Sequence, residues 1–216
     1  MKKMLSILVV IIIALTSLSL PTFAYYNGQA AANYAKAHYE TKNYNTDYNT
    51  YPKADCTNFI SQCVKAGGKE MSKSPNRKPG KVEETKTYWY SQKYIVEKNF
   101  LGVKWKTNEW AESTSWVRVA GGYGFYNYWN NKVKCIEYRD LDQLRKNAAV
   151  GDVIQVRSAT KSGKTHSTIV GEKLSNGEIV LYYHTNDTCK ELGKFNKDFG
   201  DRSGNNIYTL FKFTQS

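Results

Sequence analysis

The last third of the chain is a succession of short β-rich runs punctuated by turn residues, which confines the fold to a class with an antiparallel sheet. DVIQVR follows Gly151, HSTIVGEKL follows a turn at Gly163, EIVLYYHTN follows Ser175-Asn176-Gly177, and IYTLFKF comes near the end. Such runs, bounded by turn residues, read as the strands of an antiparallel meander. The first third reads differently. Residues 27–39 are Ala-rich, with Asn27 placed to cap them, and predict a helix. Cys56, Phe59, Ile60, Cys63 and Val64 recur at i, i+3, i+4, i+7 and i+8, the stripe of an amphipathic helix that begins at Asp55 or Cys56 and stops at Gly67-Gly68. Between them, residues 40–54 predict a loop ending at Pro52. Residues 69–107 read as a polar loop that continues with aromatics, among them Tyr88, Trp89, Tyr90 and Trp105. Residues 113–131 look helical and then Gly-rich, and 140–147 predict a short helix. Helices first and a meander afterwards make an α+β arrangement, with N-terminal helices packed on an antiparallel sheet.

Residues 1–24 predict a removed secretory signal. Lys2 and Lys3 precede an apolar run over 5–20, and Thr22-Phe23-Ala24 supplies the small residues of a cleavage site. The run is slightly short of the ~20 apolar residues that span a bilayer. The protein is therefore expected outside the cell or bound to its wall, with no membrane partner once the signal is gone. Residues 25–216 suit one domain, since single domains commonly run to ~100–200 residues. They carry +10 of the chain's formal +12. That excess either draws the protein to anionic wall polymers or simply solvates its surface. The basic residues are scattered, so nucleic acid is not an expected partner, and a monomer is expected.

Cys56, Cys63, Cys135 and Cys189 are an even set in a chain read as exported, so disulfides must be considered. Cys56 and Cys63 would sit about 10.5 Å apart along one helix face, beyond the reach of a bridge. A Cys135–Cys189 bridge remains open. No CxxC or HExxH pattern makes a case for zinc, and no cofactor is implied.

Cys56 falls at the first turn of its helix. There the dipole would favour a thiolate and lower the thiol pKa. The Cys56 N–H is placed to hold an oxyanion, and Asp55 to cap the helix. The alternative is that Cys56, like Cys63, only begins a buried stripe. His166 opens a strand after a polar KSGKT loop and can serve as a base at a pocket rim, or be an ordinary surface histidine. If Ser175-Asn176-Gly177 is a three-residue loop with Gly177 left-handed, Leu174 pairs with Glu178. His166 then falls opposite Asn186, with His184 diagonal on the same face. Either could orient the His166 ring, and another loop length would reverse the parity. His38 reads as an ordinary helix residue. A nucleophile, a base and an orienting group make a nucleophilic hydrolase site.

Several segments resemble the putative amidase domain family, which is similar to the papain-like NlpC and CHAP cell-wall hydrolases. They are YNGQAAANYA near residue 26, DCTNFISQCVKAGG from Asp55, GDVIQV from Gly151, THSTIV around His166 and YYHTNDT around His184. The resemblance implies a papain-like fold, Cys56 as nucleophile, His166 as base, and His184 or Asn186 as third polar group. It implies Asp55 as holder of a substrate amine, Tyr48 or Tyr51 as second oxyanion donor, and aromatics of 88–129, with Trp116 in a matching TSW, along a substrate cleft. It implies cleavage of an amide in bacterial peptidoglycan. Two other readings use the same residues: a secreted toxin acting on protein amides, and an inactive wall-binding module.

Overall fold

The computed structural model describes residues 25–52, 54–159, 163, 165–184, 188–199 and 205–216. The predicted signal over 1–24 and the candidate site residue Asn186 lie outside the described residues.

The two predicted N-terminal helices form where their local chemistry puts them. Helix α1 runs Gly28–His38, and the Asn27 side chain accepts from Ala30 N–H at 2.9 Å. Helix α2 runs Cys56–Ala66 and ends at Gly67-Gly68. The C-terminal meander also forms: β5 (Val153–Ser158), β6 (His166–Lys173) and β7 (Ile179–Tyr183) pair in sequence, antiparallel. Strands β8 (Thr188–Glu191) and β9 (Asn206–Phe211), with β4 (Cys135–Tyr138), complete a six-stranded sheet of order β4-β9-β5-β6-β7-β8. The architecture is α+β.

Alternation along the strands divides the core in two. Val153, Ile169, Tyr182 and Phe211 face α1 and α2, meeting Ala31, Ala35, Phe59, Ile60, Cys63 and Val64. Ile154, Val156, Val170, Leu181, Tyr208 and Leu210 face the other way, onto α5 (Leu141–Asn147) and α6 (Leu192–Asp198) through Leu144, Leu192 and Phe195. Among the described residues, no helix is long and apolar enough to cross a membrane.

Where the sequence reads as an aromatic-rich loop, the structure forms a second sheet. Strand β2 (Ser91–Phe100) and β3 (Val103–Ser113) make a long hairpin, with β1 (Val82–Glu83) parallel to the root of β3. Its distal half has no buried face, so it carries none of the apolar alternation by which strands are recognised. The chain returns through α3 (Thr114–Val117) and α4 (Phe125–Trp129). Several of the aromatics expected to line a cleft lie in the core instead, whereas Trp105 is exposed. Trp89, Tyr90 and Trp116 are at most 1% exposed, and Trp89 packs on Trp116, Tyr128 and Trp129.

All four cysteines are free. Cys135 and Cys189 sit on β4 and β8, the opposite edges of the six-stranded sheet. Five inter-strand spacings of ~4.8 Å separate them, too far to bridge.

The meander is keyed to α1 by a close backbone approach. Gly151 has φ +91, and a Cβ there would overlap Gly28 Cα. Tyr26 donates its hydroxyl to Gly151 O at 2.7 Å across the same junction. Gly151→Ala is expected to lose about 3 kcal/mol or more of stability, from a left-handed backbone and a backbone clash together. Urea unfolding would measure it, and a loss under about 1 kcal/mol would contradict the packing.

Candidate active site

Helix α2 carries the chemistry, and it is buried all round. Every residue from Cys56 to Val64 is buried. The sequence pattern showed one apolar stripe, but the polar residues beside it are also inside, each paired as burial requires. Thr57 Oγ1 lies 3.0 Å from Ser167 Oγ on β6, and Ser61 donates to Trp116 O at 2.8 Å. Gln62 accepts from the Tyr34 hydroxyl at 2.8 Å. Asn58 donates to Asp55 Oδ1 at 2.8 Å and to Asn49 O at 2.7 Å, and its Oδ1 accepts from Trp116 Nε1 at 2.8 Å. Trp116 thus supports α2 from the core and is not a substrate-facing residue.

Cys56 is 6% exposed at the head of this helix. Its pKa is raised, not lowered as the helix position alone suggests. Burial is the dominant cause, opposed by the Ser167 and Thr57 backbone N–H groups and the Thr57 hydroxyl, and reinforced by the Asp55 charge. Desolvation of a thiolate outweighs the helix dipole here. The resting sulfur is therefore a thiol and needs a base. The thiolate fraction grows as pH rises through a raised pKa. Iodoacetamide is thus expected to label exposed Cys189 first at pH 7 and to reach Cys56 only at more alkaline pH. Peptide mapping of the label would check this, and fast labelling of Cys56 at pH 7 would contradict it.

Asp55 stands at the N-cap position but caps nothing with its side chain. Its Oδ1 accepts from Tyr51 N–H at 2.9 Å as well as from Asn58, and its Oδ2 lies 2.5 Å from His184 Nδ1. Spending both oxygens on tertiary partners leaves none for the helix end. His184 is 2% exposed and sandwiched between Tyr44 and Phe59, each centroid 3.8 Å away. Its Nε2 lies 2.8 Å from His38 O. A carbonyl only accepts, which assigns a proton to Nε2, and one further proton lies between Nδ1 and Oδ2. His38 thereby enters the site through its backbone.

His166 lies on the other side of the sheet. The three-residue turn forms as the sequence predicts: Gly177 has φ +84, and Leu174 N–H donates to Glu178 O at 2.8 Å. Lys173 pairs with Ile179 and Glu172 with Val180, but Val170 pairs with Leu181. Gly171 is the extra residue of a β-bulge, and a Cβ on it would overlap the Tyr182 ring. The bulge exchanges the faces of every side chain before it on β6. Ser167 therefore meets α2, while His166 packs against Tyr183, Phe195 and Phe199. Burial holds its pKa down at about 4, and its Nε2 is buried without a hydrogen-bond partner. The Cys56 sulfur reaches the backbone N–H of Ser167, next to His166, but the His166 ring is turned into the Tyr183, Phe195 and Phe199 cluster, while Asp55, adjacent to Cys56, holds His184.

The two candidate tyrosines part company as well. Tyr51 gives its hydroxyl to Glu112, whereas Tyr48 stacks on Trp116 with centroids 5.6 Å apart. Glu112, which the sequence did not single out, is 1% exposed at the root of β3. It accepts from Ser91 Oγ at 2.9 Å and Asn49 Nδ2 at 3.2 Å as well as from Tyr51, and burial raises its pKa. Nothing local flags it, because β3 itself carries no readable period. An open depression lined by Tyr126, Asn127, Glu137 and Arg157 shares no residue with this cluster.

No curated protein and no solved structure matches the chain. The model of the family described as a putative amidase domain matches residues 25–207, a span holding both helices, the hairpin, and Cys56, Asp55 and His184. With so much of its length matched, and the site inside the match, the chain belongs to the putative amidase domain family, whose description points to amide hydrolysis.

Proposed function

We propose that this protein is a secreted, papain-like cysteine amidase that cleaves an amide bond in bacterial peptidoglycan, with Cys56 as nucleophile. The observation that carries the reading is the Asp55–His184 pair beside Cys56 at the head of α2. In this mechanism the Cys56 thiol proton passes to the Asp55 carboxylate, with His184 held beside it as the partner that positions the carboxylate. Sulfur bonds to the amide carbon, and the backbone N–H groups at the helix start hold the oxyanion. The carbon–nitrogen bond breaks as the amine takes the proton. Water then hydrolyses the thioester, returning the thiol and leaving a carboxylic acid. Tyr48 is the candidate second oxyanion donor, since Tyr51 is engaged by Glu112. The chain's excess of positive charge supports attraction to an anionic wall.

A second assignment of the base has one observation in its favour. The orphaned Nε2 of His166 is a buried polar atom without a structural use. In that assignment His166 takes the thiol proton and His184, or Asn186, orients it.

Product analysis by mass spectrometry tests the function. Purified peptidoglycan treated with the wild type should yield new amine and carboxyl ends, absent with Cys56→Ala. Cleavage or deamidation of host proteins without wall products would make the protein a toxin. Wall binding without any product would make it a binding module.

A further inference from the structure

The hairpin carries its most apolar residues where nothing in the fold covers them. Beyond the Lys93/Trp110 pair, which is tied to the core loop by Lys93 Nζ to Thr46 O and Trp110 Nε1 to Asp47 O, it extends about seven residues. That is roughly 23 Å of strand. At its end Phe100 is 67% exposed, Leu101 87%, Val103 66% and Trp105 46%. Phe100 faces Val103, and Lys98 faces Trp105, so these side chains share one face of the tip.

The turn itself bears on the purpose. Leu101 and Gly102 form a two-residue loop with φ +50 and +84, the positive pair of a type I′ turn. Asparagine or glycine suits the first position, and Leu101 is the non-glycine residue held there at positive φ. A leucine kept in a strained backbone and pointed into solvent serves something outside the fold. Around it, residues 97–106 hold Lys98, Lys104 and Lys106 against Glu97 alone. Lys98 also pairs with Glu109, and Lys104 lies 3.1 Å from Glu97. The Lys104–Glu97 pair is exposed on both sides, of the kind that exchanges readily for other anions.

We propose that the tip docks on an anionic lipid surface. Phe100, Leu101 and Val103 enter the acyl boundary, Trp105 lies at headgroup depth, and the three lysines meet lipid phosphates. Apolar residues gathered at the end of an arm, an indole one step behind and a basic collar match an interface that is apolar inside and negative outside. A protein groove would ask for an unbroken apolar strip along the arm, whereas Lys98 and Thr107 interrupt the face that carries Val96 and Phe100, and Ile95 on the other face stands among Glu97, Asn99, Lys104 and Lys106. This revises the expectation that residues 25–216 have no membrane partner, and it stands apart from the amidase reading, since none of these residues touches Cys56.

The test is co-sedimentation with vesicles of phosphatidylcholine containing about a third phosphatidylglycerol, against phosphatidylcholine alone. Both sheets and the core are built from residues 25–216, so that chain is used, free of the apolar leader. Wild type should pellet with the anionic vesicles at least tenfold more than with neutral ones. Phe100→Ser with Leu101→Asn should abolish the binding, while Leu101→Asn alone, a better turn former, should weaken it without lowering Tm. Lys104→Glu with Lys106→Glu should remove the preference for anionic lipid. Equal binding by the double tip variant, or no vesicle binding by wild type, overturns the proposal. Self-association lost with Leu101→Asn in the absence of lipid binding would overturn it in favour of a contact between copies of the chain.

Discussion

Cys56→Ala is expected to reduce amide hydrolysis by at least about 10³-fold while the protein remains folded. Removing the nucleophile of a covalent mechanism leaves only oxyanion stabilisation and substrate binding, so losses of this order or larger follow. The structural cost should be small. Only a sulfur is deleted, at the end of a helix whose buried Thr57, Asn58, Ser61 and Gln62 all keep their partners, and about 1 kcal/mol covers it. Turnover should be measured on isolated peptidoglycan alongside the melting transition. Wild-type turnover by Cys56→Ala would remove the cysteine mechanism altogether. Activity lost together with the fold would be resolved by Cys56→Ser, which keeps the Thr57 and Ser167 contacts but supplies a far weaker nucleophile.

Exchanging the two histidines one at a time should give opposite results. His184→Gln is expected to lower turnover by about 10²-fold or more, because it removes the partner that positions the Asp55 carboxylate next to Cys56. Glutamine keeps a donor for His38 O and part of the packing between Tyr44 and Phe59. His166→Phe should leave turnover near wild type, since the ring lies across the sheet among Tyr183, Phe195 and Phe199. The reverse outcome would move the base to His166.

The same His166→Phe variant should change acid stability. The folded pKa of His166 is held down at about 4 by burial, against about 6.5 in an unfolded chain. Between those values the unfolded state binds the proton that the folded state refuses. The wild type is therefore fully stable with respect to this group above pH 6.5 and loses stability as pH falls toward 4. The window is worth about 3 kcal/mol. His166→Phe has no such group, and its stability should fall less over the same range. Urea titrations at pH 7, 5.5 and 4.5 would show the two curves diverging; parallel curves would mean that the folded state accepts the proton and the ring is not sealed in.

How far the sequence could be read depended on the range of the interactions involved. Helices α1 and α2 and the Ser175-Asn176-Gly177 turn were legible because a cap, a 3.6-residue period and a left-handed glycine act within a few positions. Even Gly171, alone inside a strand pattern, was a signal for the bulge, though nothing said which residues it would turn over. The β2–β3 hairpin was hidden because its distal strands bury no face and so carry no period. Glu112 was lost with it.

By itself the sequence determined the elements that answer to local rules: the helix headed by Cys56, the four β-runs after Gly151, and the α+β order they impose. Only the tertiary structure decided which polar groups meet. One inserted residue in β6 sends His166 to one face and leaves Ser167 and His184 on the other. Packing around α2 buries a thiol that its helix position would have made acidic. Partners far apart in the chain settled both outcomes, since the face a strand residue presents and the water around a sulfur depend on register and layering that no short stretch of chain contains.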